Sequence, residues 1–210
     1  MKGIFITLEG NEGCGKSTQI KLLASYLKKK GLNVLVTREP GGTVIGNRIR
    51  EVLLDSKLGG MTHVTETLLY MASRAQLVEE VILPALEKGQ VVLCDRWMDA
   101  TLAYQGYAGD VDVDWIQAVG LVATQELEPE LSLYLDLPVK EGMKRALRRH
   151  KADRIERKGL SYHQKVRQGF LKIAKDEPER FKRLPLKPSE SIETVHRRIK
   201  AEVDRVLRRR

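Results

Sequence analysis

Short apolar runs alternate with amphipathic segments along the chain, and this alternation predicts the elements of the fold. The apolar runs predict strands at Ile4–Glu9, Val34–Thr37, Val91–Cys94, Leu131–Leu135 and, more weakly, Phe181–Leu184. Helical spacing of apolar residues predicts helices at Lys16–Lys30, Ile45–Leu54, His63–Lys88, Asp112–Glu126, Lys140–Arg149, Tyr162–Lys175 and Ile192–Arg209. Strands that alternate with helices form parallel sheets that are covered on both faces. The pattern therefore predicts an α/β fold, a three-layer α/β/α arrangement around a five-stranded parallel sheet.

Length, apolar runs and cysteine content narrow the class of protein. The chain has 210 residues, and no linker, repeat or low-complexity tract divides it, so we expect residues 1–210 to form a single domain. No apolar run approaches the roughly 20 residues that span a bilayer, and the N-terminus lacks the features of a secretory signal. Cys14 and Cys94 are too few for a disulfide framework. We expect a cytoplasmic protein with no membrane partner.

The excess of positive charge lies mainly in one late segment. The formal net charge is +9, and Lys140–Lys175 contains thirteen Lys or Arg against three Asp or Glu. Such an excess is compatible with nucleic acid, a membrane surface or small polyanionic substrates as partners. The choice among these depends on the chemistry of the segments that precede it.

The first strand is followed by a glycine-rich loop, Gly10–Ser17, that fits the pattern G-x-x-x-x-G-K-S. It lies between a predicted strand and a predicted helix, the context that a phosphate-binding P-loop requires. Its backbone N–H groups and the helix N-terminus bind phosphate oxygens, Lys16 reaches the β- and γ-phosphates, and the Ser17 hydroxyl is a ligand for Mg²⁺. No guanine-reading N-K-x-D motif follows, so the loop predicts ATP·Mg²⁺. The predicted ATP-binding residues are Gly10, Asn11, Glu12, Gly13, Cys14, Gly15, Lys16, Ser17 and Thr18.

In parallel sheets ligands bind at the carboxyl ends of the strands, so the residues after the other strands are candidates too. Arg38 follows the second strand and can bind phosphate in a bidentate manner, or pair with its neighbour Glu39 on the surface. Asp95 follows the third strand and can hold Mg²⁺, directly or through water. Arg96 can hold an acceptor phosphate or bridge it to the donor. For Asp95 and Arg96 too, ion pairs with neighbouring residues remain an alternative.

Five further motifs accompany the P-loop in a specific order and spacing. They are T-R-E-P-G-G-T at Thr37–Thr43, Y-M-A-S-R at Tyr70–Arg74, D-R at Asp95–Arg96, Y-Q-G at Tyr104–Gly106 and D-R-I-E at Asp153–Glu156. With the P-loop, this set resembles the thymidylate kinase family over nearly the whole chain. The resemblance implies transfer of the ATP γ-phosphoryl group to dTMP, giving dTDP for dTTP synthesis. It also implies a homodimer packed through helices beside the sheet, for which the apolar face of His63–Leu86 is a candidate surface.

The resemblance assigns roles on the acceptor side. Tyr70 becomes the platform for the thymine ring and Arg74 a donor to the base, and the two lie four residues apart on one helical face. Thr101, Tyr104 and Gln105 fall where the family contacts base and sugar, and the Tyr104 ring crowds a 2′-hydroxyl. Glu12 becomes an acceptor for the 3′-hydroxyl of dTMP, and its charge can orient an arginine near the acceptor phosphate. From the residues alone, Tyr70 as a core aromatic and Glu12 as a solvent-facing loop residue remain alternatives.

The basic stretch Arg145–Gly159 is predicted to be a lid over the donor phosphates. Gly13 follows Glu12, which resembles the bacterial-type members that carry their arginines in the lid. Arg149 and Arg154 are the predicted lid contacts with the transferred phosphoryl group, although His150 stands where a glycine commonly follows the first of them. The predicted catalytic residues are Lys16, Arg96, Arg149 and Arg154. The resemblance also implies a cis Glu39–Pro40 bond.

Two other functions are compatible with a P-loop. One is a kinase on the same scaffold that acts on a different nucleotide or on a nucleoside. The other is a P-loop ATPase stimulated by nucleic acid, with the basic segment as its contact. Aromatic residues are not interleaved with the basic residues of that segment, which argues against the ATPase. We therefore expect ATP and dTMP as partners and no nucleic acid.

Overall fold

A computed structural model describes residues 3–148 and 152–209, and it has the predicted α/β architecture. The strands are β1 (Ile4–Glu9), β2 (Val34–Arg38), β3 (Val91–Asp95), β4 (Leu131–Asp136) and β5 (Phe181–Pro185). The helices are α1 (Lys16–Lys29), α2 (Val44–Leu54), α3 (His63–Leu77), α4 (Leu83–Glu87), α5 (Met98–Thr101), α6 (Val113–Thr124), α7 (Val139–Leu147), α8 (Leu160–Asp176) and α9 (Ile192–Arg208). Within the described residues, no helix has both the length and the apolar composition needed to cross a bilayer.

The strands form one sheet of five in the order β2-β3-β1-β4-β5, and every pair is parallel. The prediction of a five-stranded parallel sheet is confirmed. The register sets Leu8 and Arg38 opposite Asp95, so β1, β2 and β3 end at the same level. The loops that follow these three strands consequently meet at one edge of the sheet.

Side chains of successive strand residues pack on opposite faces, because the side-chain period of a strand is two. Leu131, Leu133 and Leu135 of β4 pack on the face that α1 and α9 cover. Tyr134, between them, packs on the other face, against Phe170 of α8. Because both faces are buried, the sheet has the three-layer arrangement that its continuous apolar runs predict.

The predicted helix His63–Lys88 is interrupted by a wider turn. Residues Val78–Ile82 form a π-helical turn between α3 and α4. Pro84 explains the interruption, since proline has no N–H group to donate to the preceding turn and its ring crowds the carbonyl four residues earlier. A π-turn accommodates such a break without ending the helix.

A second helical segment, Met98–Tyr107, was not predicted. It begins as α5 and continues as a π-helical turn over Leu102–Tyr107. Its residues are buried on nearly every side, with Ala100, Leu102 and Ala103 in the core. This segment carries three of the predicted substrate contacts, Thr101, Tyr104 and Gln105.

Candidate active site

A cavity of about 300 Å³ lies at the edge where β1, β2 and β3 end. This volume is at the lower end of the range for small-molecule sites. The structure brings most of the predicted site residues to its wall, namely Glu12, Gly13, Cys14, Gly15, Lys16, Ser17, Arg38, Tyr70, Arg74, Asp95, Arg96, Thr101, Tyr104 and Gln105. Gly10, Asn11 and Thr18 belong to the loop but do not line the cavity. One space therefore joins the phosphate loop to the predicted acceptor side.

The loop after β1 has the backbone of a phosphate cradle. Gly10, Gly13 and Gly15 have φ values of 145°, 68° and 100°, which side-chain-bearing residues rarely adopt. No side chain caps the N-terminus of α1, so its first N–H groups remain available to an anion. Lys16 Nζ donates to the carbonyls of Gly10 at 2.8 Å and Asn11 at 3.2 Å. The ammonium group is thereby held over the loop, where a polyphosphate would lie.

A helix of the basic segment packs tightly on this loop. A Cβ atom at Gly142 of α7 would lie 2.4 Å from the carbonyl oxygen of Glu12, and one at Gly13 would lie 2.1 Å from the carbonyl oxygen of Gly142. Real Cβ atoms do not approach backbone oxygens this closely, so both positions require glycine. The Gly13 that resembles the bacterial-type arrangement thus has a steric reason in this chain.

Ser17 and Asp95 supply oxygen ligands of the kind that Mg²⁺ prefers. Ser17 Oγ donates to Asp95 Oδ2 at 3.2 Å, so the hydroxyl and the carboxylate already lie side by side at the cavity. Magnesium is usually bound by one or two such groups together with substrate phosphates rather than by an all-protein cage. Residues 3–148 and 152–209 hold no cluster of three or more His, Cys, Asp or Glu suited to a metal. The residues present therefore fit a magnesium ion delivered with a nucleotide.

Glu12, the acidic residue of the loop, is paired with Arg96. Its carboxylate accepts from the Arg96 guanidinium and from the Tyr104 hydroxyl at 3.1 Å. Arg96 also donates to the Gly10 carbonyl at 3.0 Å, and its guanidinium stacks 4.8 Å from the centre of the Tyr104 ring. Burial by itself would raise the pKa of Glu12, but Arg96 and Lys16 lower it below its usual value. Glu12 is therefore an ionised residue that fixes Arg96 between the phosphate loop and the acceptor side.

The backbone of Arg96 supports this arrangement. Arg96 has φ 74°, in the left-handed region, although it is not glycine. Such conformations are costly and persist where the surrounding structure holds the residue in place. Burial by itself would lower the pKa of the guanidinium, but Glu12 and Tyr104 raise it well above its usual value. The strand end thus presents a permanent, immobilised cation to the cavity.

On the acceptor side, Arg74 is bound by Glu39. The Arg74 side chain is 1% exposed and donates Nε to both Glu39 oxygens at 3.1 and 3.0 Å. Its Nη2 donates to Glu39 at 2.5 Å and to Thr101 Oγ1 at 2.9 Å. The surface pair of Arg38 with Glu39 that the sequence left open is not formed, because Glu39 is buried and pairs with Arg74 instead. The Glu39–Pro40 bond is cis, as the resemblance implies.

Comparison with known proteins identifies the family. Residues 8–199 match the family model described as thymidylate kinase. The thymidylate kinase of Thermoanaerobacter sp. (strain X514) is 50% identical over 181 residues, 86% of this chain and 88% of that protein. That of Caldanaerobacter subterraneus subsp. tengcongensis is 46% identical over 208 residues, 99% of this chain and 98% of that protein. The chain belongs to the thymidylate kinase family.

A solved structure of the thymidylate kinase family has the same fold. The crystal structure of thymidylate kinase from Ehrlichia chaffeensis superposes with a TM-score of 0.73 at 32% sequence identity. The superposition covers 88% of this chain and 93% of that one. It is consistent with the order of motifs from the P-loop to the closing helix α9.

Of the two predicted lid arginines of this thymidylate kinase family member, the structure describes one, Arg154. Arg149 lies outside the described residues. Arg154 does not line the cavity, although Asp153, Ile155 and Glu156 do. Its Nε donates to the Leu53 carbonyl at 2.8 Å, and Nη1 forms an ion pair with the buried Glu66 at 2.5 Å. A contact of Arg154 with the transferred phosphoryl group stays a prediction.

Three residues at the site were not among the predicted ones. Arg50 of α2 lines the cavity and donates to the Pro40 carbonyl at 2.9 Å, and burial together with nearby Arg38 lowers its pKa. Trp97 lines the cavity and is fully buried against Phe5, with ring centres 4.8 Å apart, so it is mainly a packing residue. Glu66 contacts Gln105 from below the cavity wall. None of the three belongs to a motif with a physical mechanism, although Glu66 lies one helical turn before Tyr70.

Proposed function

We propose that this chain transfers the γ-phosphoryl group of ATP to dTMP, giving dTDP and ADP. The observation that carries the proposal is that one cavity joins a phosphate cradle to a wall of ring-stacking and hydrogen-bonding side chains. A P-loop protein that only hydrolysed ATP would not need this wall of side chains beside the phosphate cradle. Membership of the thymidylate kinase family supports dTMP as the acceptor.

In the proposed mechanism the two nucleotides lie end to end. The triphosphate occupies the loop Gly10–Ser17, and a phosphate oxygen of dTMP attacks the γ-phosphorus in line with the leaving oxygen of ADP. The acceptor phosphate is already ionised, so no general base is needed. Lys16 and Arg96 stabilise the negative charge on the transferred group, which is the main task of the protein in such reactions. Arg149 remains a predicted contact of the closed lid, about residues 145–159.

The remaining side chains position the two substrates. Ser17 and Asp95 would hold a Mg²⁺ ion bound with the nucleotide, and this ion would neutralise charge on the phosphates. Arg38 and Arg50 border the acceptor phosphate, and Tyr70 supplies a flat face for the thymine ring. Glu12 holds Arg96 and accepts from the 3′-hydroxyl, while Tyr104 excludes a 2′-hydroxyl from the sugar pocket. The position of these side chains in the cavity wall supports the proposed roles.

A coupled assay for ADP release with dTMP, dUMP, dCMP and dGMP tests the acceptor. We expect dTMP to have the highest kcat/KM, because the chain belongs to the thymidylate kinase family and Tyr70 offers a flat face to the base in the cavity wall. A higher kcat/KM for another monophosphate would instead assign a different nucleotide kinase. A further arm adds single- and double-stranded nucleic acid without acceptor, and stimulated ATP hydrolysis there would favour the ATPase alternative.

We also propose that the enzyme is a homodimer. Large apolar side chains are exposed on α2, α3 and α6, which pack side by side. Val44 and Val122 are 78% and 81% exposed, and Ile45, Val64, Leu68 and Leu121 are also exposed. Apolar surface of this extent on neighbouring helices is typical of an interface. Sedimentation equilibrium is expected to give twice the monomer mass, and replacing Leu68 and Val122 by Glu to give the monomer. A monomeric parent protein would refute the proposal.

A further inference from the structure

Two polar contacts connect α3 to the segment Met98–Tyr107 on either side of Tyr70. On α3, Glu66, Tyr70 and Arg74 are spaced four residues apart and therefore share one face. Arg74 Nη2 donates to Thr101 Oγ1 at 2.9 Å, and Gln105 Nε2 donates to Glu66 Oε1 at 2.6 Å. Tyr70 lines the cavity between these contacts. Glu66 is thus one turn away from the predicted platform for the base.

Glu66 is a buried carboxylate that faces two cations. It is 0% exposed, and it lies 2.5 Å from Arg154 Nη1 and 3.6 Å from Lys158 Nζ. The contact with Arg154 is an ion pair, since its geometry is not that of a hydrogen bond. A buried carboxylate between two cations is ionised and accepts hydrogen bonds only. Whatever faces Glu66 must therefore be a donor.

This requirement determines the orientation of the Gln105 side chain. A glutamine amide has a donating and an accepting end of nearly equal shape, and its surroundings decide which way it turns. Gln105 is 1% exposed, and its NH2 group must face the Glu66 carboxylate. The carbonyl end is left for the cavity that Gln105 lines, and no group within residues 3–148 and 152–209 donates to it. The cavity wall consequently offers an acceptor at this position.

We infer that Glu66 is a positioning residue for base selection. By fixing the amide of Gln105, it presents a carbonyl oxygen to the N3 edge of the pyrimidine. Thymine and uracil carry an N3–H donor there, whereas cytosine carries an N3 lone pair that repels a carbonyl. Arg154 and Lys158, which lie within the predicted lid Arg145–Gly159, pair with Glu66 and so hold its carboxylate in place. The inference rests on the proposed function and adds to it a residue that does not touch the substrate.

The isosteric variant Glu66→Gln tests the inference. With glutamine at 66, either residue of the pair can donate, and the Gln105 amide is free to turn its NH2 group toward the base. The ratio of kcat/KM for dTMP to that for dCMP is expected to fall about ten-fold, the order of magnitude for one mispaired polar group in a binding site. The ratio for dTMP to dUMP is expected to stay unchanged, because both bases have N3–H and differ only in a methyl group.

A reciprocal exchange provides a rescue. In the double variant Glu66→Gln with Gln105→Glu, the carboxylate at 105 accepts whichever way it turns, so the dTMP to dCMP ratio is expected to return close to the wild-type value. The matched control is Asp136→Asn, which removes another buried carboxylate paired with two arginines, Arg167 and Arg183, away from the cavity wall. The dTMP to dCMP ratio of kcat/KM in Asp136→Asn is expected to equal the wild-type ratio.

The outcomes separate a positioning role from a merely structural one. Equal losses for dTMP and dCMP in Glu66→Gln would overturn the inference, since a structural defect does not distinguish N3–H from a lone pair. If Glu66→Gln does not fold, the double variant decides: a wild-type ratio supports the inference and a lowered ratio overturns it. If the wild-type enzyme does not have its highest kcat/KM with dTMP, the proposed function itself is refuted. This result is obtained before any variant is made, so the two failures can be told apart.

Discussion

Replacing Lys16 by alanine is expected to lower kcat by about 10³-fold or more while the fold stays intact. Lys16 is 8% exposed, and its ammonium group is fixed over the loop by the carbonyls of Gly10 and Asn11. A cation held in this way interacts with the negative charge that spreads over the transferred phosphoryl group. Its loss therefore destabilises the transition state and lowers kcat. The measurement is kcat for dTMP in the coupled assay.

The effect of this variant on stability is expected to be small. Alanine at position 16 is a good helix former, and the Gly10 carbonyl keeps a donor in Arg96, so the lost hydrogen bonds cost about 1 kcal/mol. A protein of this size then loses roughly 2–4 °C in Tm. Lys21→Ala, on an exposed part of α1, is the matched control and is expected to leave both quantities unchanged. A Lys16→Ala enzyme with near-normal turnover would contradict the role of Lys16.

The sheet was predictable because its signals are local. Strands β1, β3 and β4 are buried on both faces and therefore appear as continuous apolar runs. β5 was the weakest prediction, since Lys182 and Arg183 interrupt its apolar pattern, and it is an edge strand of the sheet. The P-loop was predictable for a related reason, as its glycine spacing is dictated by backbone conformation within eight residues.

The segment Met98–Tyr107 had no local signal. An amphipathic period requires one face in water, whereas Leu102, Ala103, Tyr104, Gln105 and Gly106 are all buried. Its helical structure results from the partners on both sides, chiefly α8 and α6. A sequence pattern cannot show such burial, although the Y-Q-G motif did indicate that the segment reaches the site.

The pairing of charges at the site was less predictable than their presence. The motifs indicated Arg38, Arg74 and Arg154 as functional arginines, but the partners are set by tertiary packing. Arg74 binds Glu39 and Arg154 binds Glu66, each from a distant part of the sequence. Buried carboxylates need compensating charge, and this need decides where an arginine lies. Resemblance to a family predicts which residues are functional, whereas the partner of each charged residue is known only from the structure.

Replacing Arg96 by alanine is expected to lower kcat by about 10²–10³-fold with a smaller change in KM for ATP. Arg96 contacts the loop through Gly10 and Glu12 and the acceptor side through the ring of Tyr104, and in the proposed mechanism it is the immobilised cation between the two phosphates. Arg96→Lys keeps the charge, but a lysine cannot bind Glu12 and Gly10 at once through a planar guanidinium. Its kcat is therefore expected to lie between those of the wild type and Arg96→Ala. Steady-state kinetics at saturating ATP and dTMP check this order.

The same variant should change how stability depends on pH. In the parent protein the pKa of Glu12 is lowered, so its stabilising contribution is present above the unfolded pKa and is lost as the pH falls. Without Arg96, burial raises the pKa of Glu12, and the carboxylate becomes destabilising as the pH rises. The Tm deficit of Arg96→Ala is therefore expected to be larger at pH 7 than at pH 4. An equal Tm deficit at both pH values would show that Arg96 does not hold the Glu12 carboxylate. It would also contradict the proposal that Arg96 connects the phosphate loop to the acceptor side.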